Sequence, residues 1–259
     1  LGSIYFKDIT ATSGVPASLT IARGLAIDDW NNDDLMDLFV TRQGEPPMLL
    51  AKQRGGPFIS TNLPPDLPNG AVIAVGDLNN DLRTDLVVAT ADKIECIFNG
   101  LTNRVTIPLT QAQISSVTLA DYDNDGWLDI LAAGEGLRAW RNQGRAGFKE
   151  MTQELGLAGV KGKIKSVTVA DFDNDCDPDL LLDGETSGLQ LLRNDGGNAN
   201  HLLKVRLLGN RSNASGLGTR VEVSVGGLRA MRTVRQLPIE IGVGRHEQLN
   251  AVTVHWFDL

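Results

Sequence analysis

The stretch DYDNDGWLD, residues 121–129, carries four aspartates, one asparagine and one glycine. Carboxylates this close repel one another, so folding them together costs free energy unless positive charge offsets the repulsion. Asp121, Asp123, Asp125 and Asp129 stand at relative positions 1, 3, 5 and 9, with Gly126 at position 6. Alternate carboxylates spaced by small polar residues can wrap a loop around one hard cation, and the glycine permits the sharp turn that returns later ligands toward earlier ones. An all-oxygen set favours Ca²⁺: zinc prefers His and Cys, and Mg²⁺ tolerates so crowded a cage poorly. An EF-hand would need Glu at position 12, where Ala132 stands, so the loop is of another kind. One acidic run alone also admits the reading of a solvated surface loop, and repetition decides between the two.

The pattern recurs. Asp29, Asn31, Asp33 and Asp37 repeat the spacing, as do Asp77, Asn79, Asp81 and Asp85, and Asp171, Asp173, Asp175 and Asp179. Start-to-start separations are 48, 44 and 50 residues. Each copy follows a short apolar stretch (GLAID, AVIAVGD, SVTLAD, SVTVAD) and precedes another (LFVT, LVVAT, ILAAG, LLLDG). These flanks are rich in Val, Ile and Leu and too short for helices, so they read as strands. A third apolar segment follows each copy (MLLAK, IECIFN, LRAWRN, LQLLRN), and a fourth aligns in two places, FKDIT at 6–10 and FKEMT at 148–152. Four short antiparallel strands per unit of about 45 residues is the pattern of a β-propeller blade. A lone sheet of that size buries too little apolar area, so neighbouring blades must stack. The fold class expected is all-β: a β-propeller with four visible blades, with the cation loop joining the first two strands of each.

The copies differ. Position 6 is glycine only in the third; Asp34, Leu82 and Cys176 stand there in the others, where the turn must strain or adopt another geometry. Asn31 and Asn79 lower the ligand charge of the first two loops. Loops three and four are expected to hold Ca²⁺ most tightly, and loop two, with Leu82 and Arg83 in its turn, to fail.

Charge follows the repeats. Residues 1–200 hold 28 acidic and 16 basic side chains, whereas 201–259 hold 4 acidic and 8 basic. Four divalent cations would cancel the net charge of −8 of the whole chain. An acidic chain without a basic stripe excludes nucleic acid as the expected partner, and no apolar run approaches the roughly 20 residues that cross a bilayer. The chain starts at Leu1 rather than Met, which reads as a processed or excised N-terminus. Cys96 and Cys176 fall in different blades and are expected as free thiols.

The repeated DxDxDGxxD-type loop between short strands resembles the FG-GAP/VCBS repeat family, the blades of integrin-α-like propellers, over residues 1–197. FKDIT…SGV at 6–15, echoed by FKEMTQELGL at 148–157, resembles the cartilage acidic protein-like family. Downstream, NHLLKVRLLGNRSNASGLGTRVEVSVGG at 200–227, then IEIGVG and VTVHW, resembles the ASPIC/UnbV domain. Asn200, His201, Arg211, Ser212, Asn213, Gly216, Gly218 and Arg220 match that family's recognisable positions. The resemblance implies an extracellular or periplasmic, cell-envelope-facing Ca²⁺-binding protein associated with recognition or adhesion, with no established catalytic apparatus. The chain departs from it in its missing loop glycines and in showing fewer blades than most relatives.

The domains expected are therefore 1–197, propeller blades, and 198–259, a small antiparallel β-domain whose strands alternate apolar and polar residues at 202–208, 220–225 and 251–256. FKEMT reads as the outer strand of the third blade. FKDIT would by analogy be an outer strand whose own blade is absent: either it pairs with the last blade and closes a small ring, or it belongs to upstream blades or to a propeller completed by a neighbouring subunit. N-x-S sequons at Asn210 and Asn213 lie in a loop of small polar residues, which reads first as an ordinary turn.

No enzyme motif competes. His201, His246 and His255 form no HxxxH or HxH pair, there is no G-x-S-x-G elbow, and GRAGFKE and GEGLR lack the ending of a phosphate loop. Trp30, Trp127, Trp140 and Trp256 could stack on sugar rings, but scattered positions fit packing better. The function expected is a non-catalytic, calcium-stabilised scaffold that binds a protein or glycan. Its rivals are a structural subunit of a larger secreted assembly and a Ca²⁺-dependent enzyme acting on acidic polysaccharide.

Overall fold

A computed structural model describes residues 6–16, 22–64, 66–69, 71–98, 103–110, 113–196, 199–209 and 213–256. Its contacts divide the chain after Ala71 into two compact units. The first holds one antiparallel sheet in chain order: β1 (Ala22–Asp28), β2 (Asp37–Arg42), β3 (Glu45–Ala51) and β4 (Ile59–Asn62). The second begins with two more sheets of the same design. One is β5 (Val72–Gly76), β6 (Asp85–Ala89), β7 (Lys93–Phe98) and β8 (Asn103–Pro108). The next is β9 (Ser116–Ala120), β10 (Asp129–Gly134), β11 (Gly136–Asn142) and β12 (Phe148–Glu150). A fourth sheet, β13 (Ile164–Ala170), β14 (Asp179–Gly184) and β15 (Gly188–Leu192), has three strands among the described residues. Four meandering antiparallel sheets of this kind are propeller-type blades, and every cation loop joins the first two strands of its blade.

Blade stacking explains the strand sequences. In β10 every residue is buried, because Ile130 and Ala132 pack toward blade two while Leu131 and Ala133 pack toward blade four. A strand covered on both faces reads as a continuous apolar run rather than an alternation. The core between blades two and three gathers Leu78, Val87, Ile94, Cys96, Ile130 and Trp140; that between blades three and four gathers Leu131, Leu137, Leu157, Ile164 and Leu182. The first strands β5, β9 and β13 run side by side, and the Thr118 hydroxyl donates to Val167 O at 3.3 Å across the seam.

Outer strands are where the sequence reading needs correction. FKEMT supplies β12, which pairs with β11 as expected. FKDIT is not a strand: Phe6–Ile9 is irregular and Thr10–Ser13 forms a single helical turn, α1. The segment after it, through Val15, packs on Val40, Met48, Leu50 and Phe58 of blade one, and Phe58 N donates to Ser13 O. The outer strands of blades one and two are instead ISTN and NRVTIP, whose mixed polar composition carries little apolar signal.

The C-terminal residues form two small sheets around one apolar core. β16 (Leu202–Val205) pairs with β19 (Ile239–Gly242); β17 (Arg220–Val225) lies between β18 (Leu228–Thr233) and β20 (Ala251–His255). Val221, Val223, Val225, Ala230 and Ile241 fill the centre, with Trp256 against it. Residues 206–208 leave the strand expected at 202–208. Of the positions matched to ASPIC/UnbV, Arg211 and Ser212 lie outside the described residues, as does Asn210 of the first sequon; the Asn213 amide donates to Leu217 O within the turn. Cys96 is buried and Cys176 exposed, both unbridged.

Candidate metal centre

All four loops fold on one hydrogen-bond plan. The position-1 carboxylate accepts the backbone N–H of positions 5 and 6: Asp29 from Asp33 and Asp34, Asp77 from Asp81 and Leu82, Asp121 from Asp125 and Gly126, Asp171 from Asp175 and Cys176, all at 2.9–3.1 Å. The position-5 carboxylate accepts from position 7, as Asp125 does from Trp127 N at 2.9 Å. The position-9 carboxylate is fully buried in every loop and accepts the N–H of position 2, through Asp37, Asp85, Asp129 and Asp179. Its second oxygen takes an N–H from the end of the third strand: Lys52 for Asp37, Asn142 for Asp129 and Asn194 for Asp179. Position 9 thus ties loop, second strand and third strand together.

This plan decides the turn geometry. Because Asp-1 holds the N–H of position 6, that residue takes a left-handed backbone whatever its side chain: φ is 91° at Gly126, 66° at Asp34, 69° at Leu82 and 77° at Cys176. The missing glycines therefore strain the turn rather than change it, at about 1–2 kcal/mol for each. Position 4 is also left-handed, and is asparagine in all four loops: Asn32, Asn80, Asn124 and Asn174, with φ between 55° and 61°. Asparagine tolerates that region best among side-chain-bearing residues. Its fourfold repetition is plain in the sequence and was the unread part of the motif.

Ligand convergence differs between loops. Oxygens of Asp121, Asp123 and Asp129 lie within 4.8 Å of one another, as do those of Asp171, Asp173 and Asp179. Among the described residues no acidic triad of this kind forms in loops one and two, where the amides of Asn31 and Asn79 donate to Asp33 at 2.9 Å and Asp81 at 3.0 Å. The position-5 carboxylates Asp125 and Asp175 stand outside the triads. Asp123 Oδ1 is buried with no hydrogen-bond partner. Burial pushes Asp121 up to about 7 and Asp77 up to about 6, in each case against the pull of Arg232, and raises Asp129 well above the usual carboxylate range. An orphaned buried oxygen, three converging carboxylates and an all-oxygen donor set fit a hard divalent cation in loop three.

Side chains absent from the motif frame these loops. Arg141 Nε lies 2.7 Å from Asp123 Oδ2, and its Nη2 donates to Asp125 Oδ2 at 2.9 Å. Lys204 pairs with Asp171. The C-terminal sheets cover the loop end of their unit: Arg232 donates to Gly126 O at 3.0 Å, Gly244 N to Asn124 O at 2.9 Å and Asn200 Nδ2 to Asp123 O at 2.7 Å. Loops also hold one another. Asn80 and Asn124 donate to the position-6 carbonyls of the following loops, Gly126 O at 3.1 Å and Cys176 O at 3.0 Å. In the reverse direction Asn142 donates to Leu78 O, and Asn194 to Tyr122 O, in the preceding loops. Such contacts, 16 to 120 residues apart, leave no local trace in the sequence.

No curated protein matches the chain. Among solved structures, the chain is similar to a crystal structure of BBS1N in complex with ARL6DN, soaked with lead, at 12% identity and a TM-score of 0.42, covering 92% of this chain and 68% of that one. Two stretches, residues 29–88 with loops one and two and residues 121–182 with loops three and four, match the FG-GAP-like repeat.

Proposed function

We propose that the chain is a non-catalytic recognition scaffold whose blade loops are braced by calcium, working outside the cell or in the cell envelope and binding a protein or glycan. The observation that carries this reading is the convergence of Asp121, Asp123 and Asp129 around a buried oxygen that lacks any partner. Loops three and four would hold the ion through Asp121, Asp123 and Asp129 and through Asp171, Asp173 and Asp179; loops one and two, with an amide at position 3, are weaker holders. A bound ion supplies positive charge that lets the loop ends stay rigid, and the variable turns then present a fixed surface. Non-catalytic use accords with the loop carboxylates, whose oxygens are tied by backbone N–H groups within the loop. The FG-GAP-like repeats support the extracellular reading, and the two-domain division at 197/198 with an ASPIC/UnbV-like second part rests on its residues alone. Thermal unfolding with and without chelator tests the brace: the midpoint should fall by several degrees when calcium is withdrawn, and an unchanged midpoint removes the stabilising role.

A second reading, a structural subunit of a larger secreted assembly, is favoured by one observation. The third strand of blade four, β15, has no outer neighbour among the described residues and leaves Leu189 and Leu191 exposed. An open apolar edge invites another strand. A strict monomer at working concentration would count against it.

A further inference from the structure

We infer that Arg141 and Arg193 are resident counter-cations of the four-carboxylate loops, and that Arg141 sets how tightly loop three takes a divalent cation. The inference rests on the calcium reading above. It starts from a correlation among the four blades. The residue before the one whose N–H caps the position-9 carboxylate is Arg141 in blade three and Arg193 in blade four, the two blades with aspartate at position 3. At the same place blade one has Ala51, before Lys52, and its position 3 is Asn31; blade two has Phe98 at the end of β7, and its position 3 is Asn79.

The geometry shows what the exchange does. In loops one and two the amide of position 3 donates to the position-5 carboxylate, Asn31 to Asp33 and Asn79 to Asp81. In loop three position 3 is itself a carboxylate, and the Arg141 guanidinium bridges it to position 5, with Nε 2.7 Å from Asp123 Oδ2 and Nη2 2.9 Å from Asp125 Oδ2. In loop four Arg193 Nη1 stands 3.9 Å from Asp173 Oδ2, but its Nε holds Asp195 at 2.6 Å, so it lies beside position 3 without bridging it to position 5. Four carboxylates with a guanidinium carry the net charge of three carboxylates with an amide. Counted over the four repeat positions and this arginine alone, loop three thereby matches the charge of loops one and two by a different chemical route.

Arg141 leaves Asp123 Oδ1 and the Asp121 and Asp129 oxygens to a cation but places a positive charge beside it. Repulsion between a guanidinium and a divalent ion a few ångströms apart near a protein surface is worth at least about tenfold in affinity. The tether that Arg141 gives Asp123 and Asp125 acts in the opposite direction, but orienting two carboxylates through a part-buried pair contributes about 1 kcal/mol, less than the repulsion. Charge therefore decides the sign, and the arginine holds loop three at an affinity suited to calcium-rich surroundings rather than to scavenging traces.

Calorimetric titration of the full chain with calcium, after chelator stripping, tests this. Arg141→Gln should tighten one class of sites about tenfold or more. Arg141→Lys, which keeps the charge, should bind as the parent does, and Arg141→Gln with Asp123→Asn, which copies loops one and two, should lose the gain and bind no more tightly than the parent. Calcium uptake by the parent that Arg141→Gln leaves unchanged or weakens overturns this inference and leaves the proposed function standing. Uptake by Arg141→Gln alone supports it, and uptake by neither protein overturns both. Circular dichroism of each variant establishes that the fold is kept.

Discussion

Replacing Asn142 by alanine probes the loop-to-loop latches, and its cost can be worked from the contacts. Asn142 is 3% exposed. Its amide donates to Leu78 O at 2.7 Å in loop two and to Leu128 O at 3.0 Å in its own loop, and its Oδ1 accepts Gly144 N at 3.0 Å. The backbone N–H to Asp129 survives the change. Three hydrogen bonds are lost, each worth about 1 kcal/mol net, and two carbonyls in buried surroundings are left without that donor at about 1 kcal/mol or more apiece. The sum is about 5 kcal/mol, a large part of the stability of an ordinary domain. Asn194 offers an internal comparison, with donations to Tyr122 O at 2.9 Å and Pro178 O at 3.2 Å and acceptance from Gly196 N at 3.1 Å, in a half-buried setting where water can replace them. Asn194→Ala should therefore cost about 1–2 kcal/mol. Urea unfolding followed by tryptophan fluorescence measures both, and Trp140, in the core beside Asn142, is one of the four reporters. If Asn142→Ala cost under about 1 kcal/mol, or no more than Asn194→Ala, the latches would not hold the blades and the reasoning would fail.

Other expectations follow from the same contacts. Asp121 and Asp77 are raised above the 3.8 of an unfolded aspartate, so protonation favours the folded metal-free chain; its melting temperature should fall as pH rises from 5 to 8, and calcium, which favours the ionised form, should flatten that slope. A metal-free midpoint that is level or rises over that range would contradict the burial argument. Gly242→Ala puts a Cβ at 2.2 Å from Asp121 Oδ2 and 2.5 Å from the Asn124 backbone, so the C-terminal sheets should lift off the loops, read as faster proteolysis between residues 199 and 256. Lys204→Met removes the partner of Asp171 and should destabilise the metal-free chain more than the calcium-loaded one, a difference visible in paired melting curves. Equal losses in both states would show that Lys204 matters for packing alone.

The blades were legible because two signals coincide in each repeat: strand-length apolar runs and a fixed spacing of aspartates. Third strands read as well as second strands, since MLLAK, IECIFN, LRAWRN and LQLLRN all carry short apolar runs, although burial ranges from the covered β7 to the largely exposed β15. Outer strands such as ISTN face solvent, lose the apolar pattern and were missed, while FKDIT matched FKEMT in letters yet lacks its partner strand and folds as a coil and a helical turn. In the loops, the repeated positions of Asp and Asn were readable from spacing alone. The convergence in loops three and four, and the amide cross-links of loops one and two, follow from the choice of Asp or Asn at position 3. Arg141, Lys204 and Arg232 could not be placed, because strand register and the docking of the C-terminal sheets bring them to the loops. The Asn at position 4 and the Arg-Asn pair closing the third segment of copies three and four were visible as repeats, and only their backbone and ionic roles needed coordinates.

Crystals of the full chain grown at millimolar calcium, with anomalous diffraction to locate the metal, test the central claim most directly. The account predicts one ion in loop three among Asp121, Asp123 and Asp129 and one in loop four among Asp171, Asp173 and Asp179, with weaker density in loops one and two. Loops three and four without a metal peak at that concentration, their carboxylates held only by Arg141, Lys204 and the backbone, would contradict it.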